Sequence, residues 1–512
     1  MKGISTMKKT LRSICIVLIL CLAFSALVAC DDSDNTSKNN SSLGNAQNND
    51  QNQGDNPEED VFRLAKENFG GVKIKIMTDK ASDYLSCEIA PQELNDERVR
   101  NAAYDRAQLL AQEYGIELEQ VYADSQGDLK TKAKEQVETG IDEIQVFCGG
   151  VIYLAGLVSD DIFIDMNSIE SNDYLDFSQS YWDQRMIEDI TINDRIYFAT
   201  GDALVTDDEA TWAIFFNKEI AANNSVYAPY DAESIYDIVK RGDWTIDVMY
   251  EMAKGVATNV DGTMDYDPNT DDTWGMVAQC YDSYTFMVAA GQSLTRLDNN
   301  QPIITIGEEQ NIRAFEKVFS ILTDKQTVAI AEIDKGSVSD YYGAMSQIFA
   351  NGKALFMPNK IATVSEEVMR TANIRYGILP MPKLSKEQEN YSSTVTVYWC
   401  SALAIPKTNV EKLDATCYAL EAMAYYGQKN LTQEYYEQTL KNKRFEDNES
   451  EEMLDLIFRN KSFDIGAVYS FGDILGFYTN LLLSGSNTHA SNFDAAKDRY
   501  EIEIEDFIAE MG

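Results

Sequence analysis

The chain has 512 residues, 11% of them aromatic and 44% hydrophobic, with a formal net charge of −41. It is long enough for two lobes or domains, and apolar enough to be globular over most of its length. So acidic a surface repels phosphate, which argues against nucleic acid as a partner and against direct adsorption to anionic lipid.

The first element is an export signal. Lys8, Lys9 and Arg12 precede an apolar run from Ile14 to Val28, shorter than the roughly 20 residues of a spanning helix, and small residues lead to Cys30. Leu27-Val28-Ala29-Cys30 resembles the bacterial lipobox, in which the cysteine is diacylated and becomes the new N-terminus. Residues 1–29 are therefore expected to be a lipoprotein signal peptide and Cys30 the lipidation site. Loss of Lys2, Lys8, Lys9 and Arg12 with the signal takes the net charge to −45. Residues 30–60 carry only Leu43 and Ala46 as apolar side chains and read as a disordered tether. At roughly 5–6 Å times the square root of its length, such a tether holds a domain tens of Å from the membrane.

Val72–Met77 alternates with period two and predicts a strand. Asn95–Tyr114 has helical spacing and Gly115–Val121 resumes as a strand, giving a β-α-β opening. A helix over Leu129–Glu138 leads to a strand, Glu143–Phe147, that ends in Gly149 and Gly150. Those glycines, with Asp79 after the first strand, stand at the carboxyl edge of a parallel sheet, where ligands of open α/β sheets bind; a plain glycine turn explains them equally well.

A hairpin over Ile190–Ala199 turns at Asn193-Asp194 and is followed by Gly201-Asp202 and by the apolar segment Thr211–Lys218. Helices are predicted over Glu233–Arg241, to Ala257, over Glu308–Thr323 and over Asp340–Asn351. Short apolar strands bounded by Gly or Pro fall at Lys353–Met357, Tyr376–Pro382 and Ala402–Pro406, and the C-terminus reads as helical. Strands and helices alternate throughout, which makes the class α/β.

Beyond the signal and Cys30, five cysteines remain: Cys87, Cys148, Cys280, Cys400 and Cys417. Their odd number and wide spacing specify neither a disulfide framework nor a zinc site, though there is room for one disulfide. His489 is the only histidine, so a Ser-His-Asp or Cys-His triad would have to recruit it. No P-loop and no Gly-x-Ser-x-Gly elbow occurs. A glycosidase needs only two carboxylates, and 84 acids leave that reading open.

Several ordered local patterns carry a family resemblance. They are Asn95–Arg106, Arg195-Ile-Tyr-Phe-Ala-Thr-Gly-Asp202, Phe215-Phe-Asn-Lys218, Gly242-Asp-Trp-Thr245, Phe349–Phe356, Tyr376-Gly-Ile-Leu-Pro-Met-Pro382 and Ala404-Ile-Pro-Lys-Thr408. Together, after a lipobox and a tether, the mature chain resembles the family 1 extracellular solute-binding proteins, lipoprotein receptors of bacterial ABC importers that mostly handle sugars. The resemblance implies a two-lobed periplasmic-binding-protein-like clamp (type II) that closes on a ligand about hinge crossings. It places lobe one at 61–212 and 383–430 and lobe two at 213–382 and 431–512. The crossings are expected at Trp212–Lys218 and Gly377–Pro382, with a late return near Gln428. It further implies a monomeric receptor without cofactor or catalysis, held on the outer face of a Gram-positive cell and read by ABC permease subunits. A lipid-anchored glycoside hydrolase and a sugar-sensing lipoprotein are the alternatives.

Sugars need aromatic platforms for their C–H faces and carboxylates or amides for their hydroxyls. The expected ligand-binding residues are Asp79, Gly149, Gly150, Trp182, Asp202, Tyr281, Tyr284 and Trp399. Trp182 is either a stacking platform or core, and Asp202 either a ligand or a turn cap. Tyr469 and Phe471 are held in reserve, and Trp244 and Trp274 are read as packing. The acidic loop Asn259–Asp272 resembles a calcium loop, but with Gly262 as the turn glycine, Ala257 and Pro268 stand where the first and last ligands belong. It reads as a solvated loop, with no metal assigned.

Overall fold

The computed structural model describes residues 61–80, 88–168, 173–260, 262–441 and 448–511. The expected signal segment, Cys30, the tether and Cys87 lie outside the described residues. Phe62–Gly512 forms one compact unit.

The first sheet opens with β1 (Val72–Asp79), β2 (Ile116–Ala123) and β3 (Val146–Gly150). In β1 the alternation does what its pattern dictates, with Ile74 and Ile76 fully buried and alternating with Lys73 and Lys75. The crossover from β1 to β2 is the helix Arg98–Leu109, extended by the π-helical turn Leu110–Tyr114 and stopped at Gly115, whose φ of 63° favours glycine. The next crossover, Gln126–Thr139, is N-capped by Ser125, whose Oγ accepts from Asp128 N at 3.1 Å.

Lobe two supplies β4 (Trp212–Asn217), β5 (Trp274–Ala278), the hairpin β6 (Thr295–Asp298) and β7 (Gln301–Ile304), β8 (Val328–Ile330), β9 (Ala354–Lys360) and β10 (Tyr376–Leu379). Then come β11 (Ser393–Thr394), β12 (Ser401–Ala404) and β13 (Lys461–Ser462). The first sheet has the order β12-β3-β1-β2, with β12 antiparallel to a parallel trio. The second has the order β10-β4-β9-β5-β8, antiparallel at β10/β4/β9 and parallel at β9/β5/β8. Two α/β sheets, each flanked by helices, make a two-lobed architecture of the kind the resemblance implies.

Three passages of chain run together between the sheets. Thr211 bridges Val395, Thr396 N donates to Ala210 O at 3.0 Å, Val395 N donates to Ser462 O at 3.0 Å, and β11 pairs with β13. The segments expected as crossings, Trp212–Lys218 and Gly377–Pro382, instead enter neighbouring strands of the second sheet, paired from Tyr376–Asn217 to Leu379–Ile214. The physical reason is that β4 is buried at every residue, so its apolar run belongs inside a sheet covered on both faces. Lys383 bridges Thr245, and Gln388 donates to Ala289 O at 2.8 Å, so the chain stays beside lobe two until it reaches β11. Gln428 lies beside Asp202, and the late return is β13.

The C-terminal region rests on both lobes. Helix Ile465–Tyr469 packs against Val151–Ala155, which follows β3, and against β6. The long helix His489–Met511 meets β7, and Arg195 donates to Met511 O. His489 is buried at the start of that helix, its Nε2 2.6 Å from Ile306 O among the rings of Phe315, Phe477 and Tyr478. Cys148, Cys280, Cys400 and Cys417 are buried.

Candidate functional site

Because β5, β8 and β9 are parallel, their carboxyl ends point the same way. The residues there, Gln279, Glu332, Asn359 and Lys360, gather around one cavity of about 600 Å³. Antiparallel β4 contributes its first residue to the same edge, Trp212 being paired with Lys360. The segment leaving the crossing closes the cavity with Thr396, Tyr398 and Trp399. The size lies within the range of small-molecule sites.

The walls are aromatic. Tyr281 packs edge-on against Trp212 at 5.4 Å and against Tyr398 at 6.0 Å, joining a lobe-two residue to the loop that leads into β12. Trp212 is fixed in turn by its indole N–H, which donates to Asp282 Oδ1 at 2.7 Å. The Tyr281 hydroxyl lies beside Thr396 without a hydrogen bond of standard geometry. Tyr398 and Tyr342 are about half exposed, open to a ligand.

The polar groups sit between these rings. Glu332 accepts from Cys280 N at 2.8 Å and from Tyr342 O–H at 2.9 Å, which anchors the carboxylate and aims the phenol. Burial, reinforced by Glu332, pushes the Cys280 thiol upward and keeps it protonated. Lys360 Nζ lies 3.9 Å from the centre of the Trp399 ring and 3.2 Å from Glu366 Oε1. Asp340 caps the helix Tyr341–Ala350 by accepting from Gly343 N at 3.0 Å. Such a set can stack a flat apolar face and hydrogen-bond a rim of hydroxyls.

Of the residues expected from sequence, Tyr281 and Trp399 meet at this cavity, and Tyr284, 1% exposed, packs behind Tyr281 at 5.4 Å. Gly149 and Gly150 do not line it: they pair with Ala402 and Ser401, and Gly150 N donates to Gln126 Oε1 at 3.1 Å. Gly150 bears on the site indirectly, since a Cβ there would fall 3.1 Å from the Tyr153 ring and 3.6 Å from Tyr398 O. Asp79 is buried at the end of β1, opposite Ala123.

Trp182 and Asp202 belong to a different cavity, of about 360 Å³, on the face that carries β13. Trp182 is 1% exposed and its indole donates to Glu421 Oε2 at 3.0 Å, beside Phe177 at 5.1 Å, so its ring is core and not an open platform. Asp202 accepts from Gln428 at 2.9 Å and from Thr432, as a cap between segments. Tyr469 and Phe471 stack at 5.7 Å under Phe507 as packing. Trp244 and Trp274 donate to Pro380 O and Asp265 O as core residues. In the acidic loop both oxygens of Asp272 accept from the loop itself, at Val260 N, Asp265 N and Thr270 Oγ1. Among the described residues no acidic, His or Cys group is arranged to hold a metal ion.

Trp212, Glu332, Tyr342, Lys360, Glu366 and Tyr398 were not anticipated. The sheet-edge rule that selected Asp79 and Gly149 would have found the strand-end members had it been applied to the second sheet.

Burial pushes several carboxyls upward: Asp189, Asp202 and Asp464 to about 6 and Asp282 to about 8. Unfolded aspartates titrate near pH 4, so between about pH 4 and 8 the folded protein binds more protons than the unfolded chain, and stability falls as pH rises. Asp183 acts oppositely: burial raises it, but Lys461 and hydrogen bonds bring it to about 2, so its contribution is lost as pH falls below about 4. The melting temperature is expected to peak near about pH 4–5 and to drop by several degrees towards pH 8. Thermal unfolding across that range checks this, and a profile rising to pH 8 contradicts it.

No family model and no curated protein matches the chain. Solved structures do. A sugar transporter from Rhizobium etli in an open conformation aligns with a TM-score of 0.55 at 14% identity, over 86% of this chain and 99% of that one. A cyclo/maltodextrin-binding protein complexed with maltotetraose aligns at 0.53 and 12% identity, over 86% and 96%. The GacH receptor of Streptomyces glaucescens, solved unliganded and with acarbose, aligns at 0.52 and 15% identity, over 84% and 98%. The two-lobed periplasmic-binding-protein fold is thus shared with these proteins over nearly their whole length.

Proposed function

We propose that this protein is an extracellular solute-binding receptor that delivers a carbohydrate to an ABC importer, binding without turnover. The observation that carries the reading is the cavity at the carboxyl ends of β5, β8 and β9, where Trp212, Tyr281, Tyr398 and Trp399 supply stacking faces and Glu332, Asn359 and Gln279 supply hydrogen-bonding groups. The sugar-binding character of the proteins that share the fold supports it.

In this reading the ligand acts through its differential affinity for the closed form, because residues from both lobes meet around the cavity and only closure brings all of them onto the sugar. Cys30, diacylated, keeps a monomeric receptor at the outer face of the membrane, near the permease subunits that read the closed state. The hinge is the triple passage of Ala210–Thr211, β11–Thr396 and β13.

The test is a thermal-shift panel of mono- and oligosaccharides, with the sugars recovered and analysed afterwards. One sugar at about 100 times its Kd is expected to add about 2.7 kcal/mol of stability and to be recovered intact. A panel without any shift, or cleavage of a glycan, overturns the receptor reading.

A further inference from the structure

The cavity contains one cation among its lining residues, Lys360, against three carboxylates, Glu332, Asp340 and Glu366. Lys360 does not project into open solvent. It is 7% exposed, and its ammonium lies over the Trp399 ring at 3.9 Å while pairing with Glu366 at 3.2 Å. The broadest aromatic face of the lobe-one wall is therefore already occupied, by the chain's own ammonium group. A cation over an indole face with a carboxylate alongside is a favourable pairing, and more so when water is excluded.

We infer that the corner formed by Trp399 and Glu366 is a subsite for a protonated amine, and that the ligand is an amine-bearing carbohydrate. This rests on the carbohydrate-receptor reading and narrows it. An amine on the sugar replaces Lys360 like for like, keeping both the ring contact and the ion pair. A carboxylate or phosphate on the sugar meets two uncompensated negative charges. A neutral sugar has to move an ammonium group from its ring without supplying one in return. The displaced lysine has a flexible four-carbon stem, which lets its ammonium group leave the ring without any movement of the backbone. Glu332 and Asp340 retain free acceptor capacity for further donors, since each oxygen of a carboxylate has two lone pairs.

The probes are glucosamine oligomers of defined length, the same oligomers N-acetylated, and oligogalacturonates, measured by calorimetry near pH 6. The wild type is expected to bind the aminated oligomer at least about tenfold more tightly than its acetylated twin and to show no heat with the uronates. Lys360→Met, which removes the internal competitor, is expected to tighten the aminated oligomer further, by about fivefold. Glu366→Gln is expected to weaken it by about tenfold, and to narrow the gap between the aminated and the acetylated oligomer. Equal or tighter binding of the acetylated form, or loss of aminated binding in Lys360→Met, overturns the inference. If neutral sugars in the broader panel bind and aminated ones do not, the inference falls and the receptor reading stands; if nothing binds in either set, both fall.

Discussion

Trp399→Ala is expected to weaken binding of the proposed carbohydrate ligand by about 30-fold or more, equivalent to about 2 kcal/mol, while leaving the folded state nearly as stable as before. The residue is only partly buried, lies in the loop ahead of β12, and turns its face to the cavity beneath Lys360. Truncation removes a stacking surface without opening a hole in either sheet. Isothermal titration against the ligand found in the sugar panel, together with a melting curve, separates the two effects. An unchanged Kd removes Trp399 from the site, and a collapsed melting temperature assigns it to the core.

Lys461→Met is expected to destabilise the protein by about 3–5 kcal/mol. Its ammonium lies 2.5 Å from Asp183 and Asp207 and 3.0 Å from Asp208, in a cluster whose side chains are all at most 11% exposed. Burial and mutual repulsion push Asp207 and Asp208 upward, and the lysine is what lets Asp183 stay ionised. Without it three carboxyls are left together in a dry site, where they must take up protons or unfold the region. Urea denaturation measures the loss. Adding Asp207→Asn to the variant is expected to restore some of the stability, and a loss below about 1 kcal/mol refutes the assignment.

The first sheet was legible because its strands announce themselves. Lys73-Ile-Lys-Ile alternates and Gly115 punctuates the crossover, signals within a few residues, whereas the helix expected from Leu129 begins earlier, at Gln126, behind its Ser125 cap. The crossings were not, because Trp212–Asn217 and Tyr376–Leu379 are buried at every position and their uniform apolarity does not say which sheet they enter. Trp182 was left open between platform and core for a related reason. Its environment is decided by Glu421, whose carboxylate binds Trp182, Tyr181 and Arg63 from far along the chain. Tyr281 and Trp399 were found as individual residues, whereas their meeting at one cavity follows from the parallel pairing of β5, β8 and β9, a long-range property that no local pattern carries.

The C-terminal region adds a constraint on how the molecule can move. Ile465–Tyr469 packs on the helix after β3 in one lobe and on β6 in the other, and Arg195 holds Met511 at the end of the chain. Rotation about the triple passage alone would pull apart the surfaces that this segment joins. If the lobes open about these passages, as the proposed receptor function requires, the helix Ile465–Tyr469 has to slide over one of its two neighbours, and the motion becomes a pivot along the crossings with a shear along the C-terminal flank.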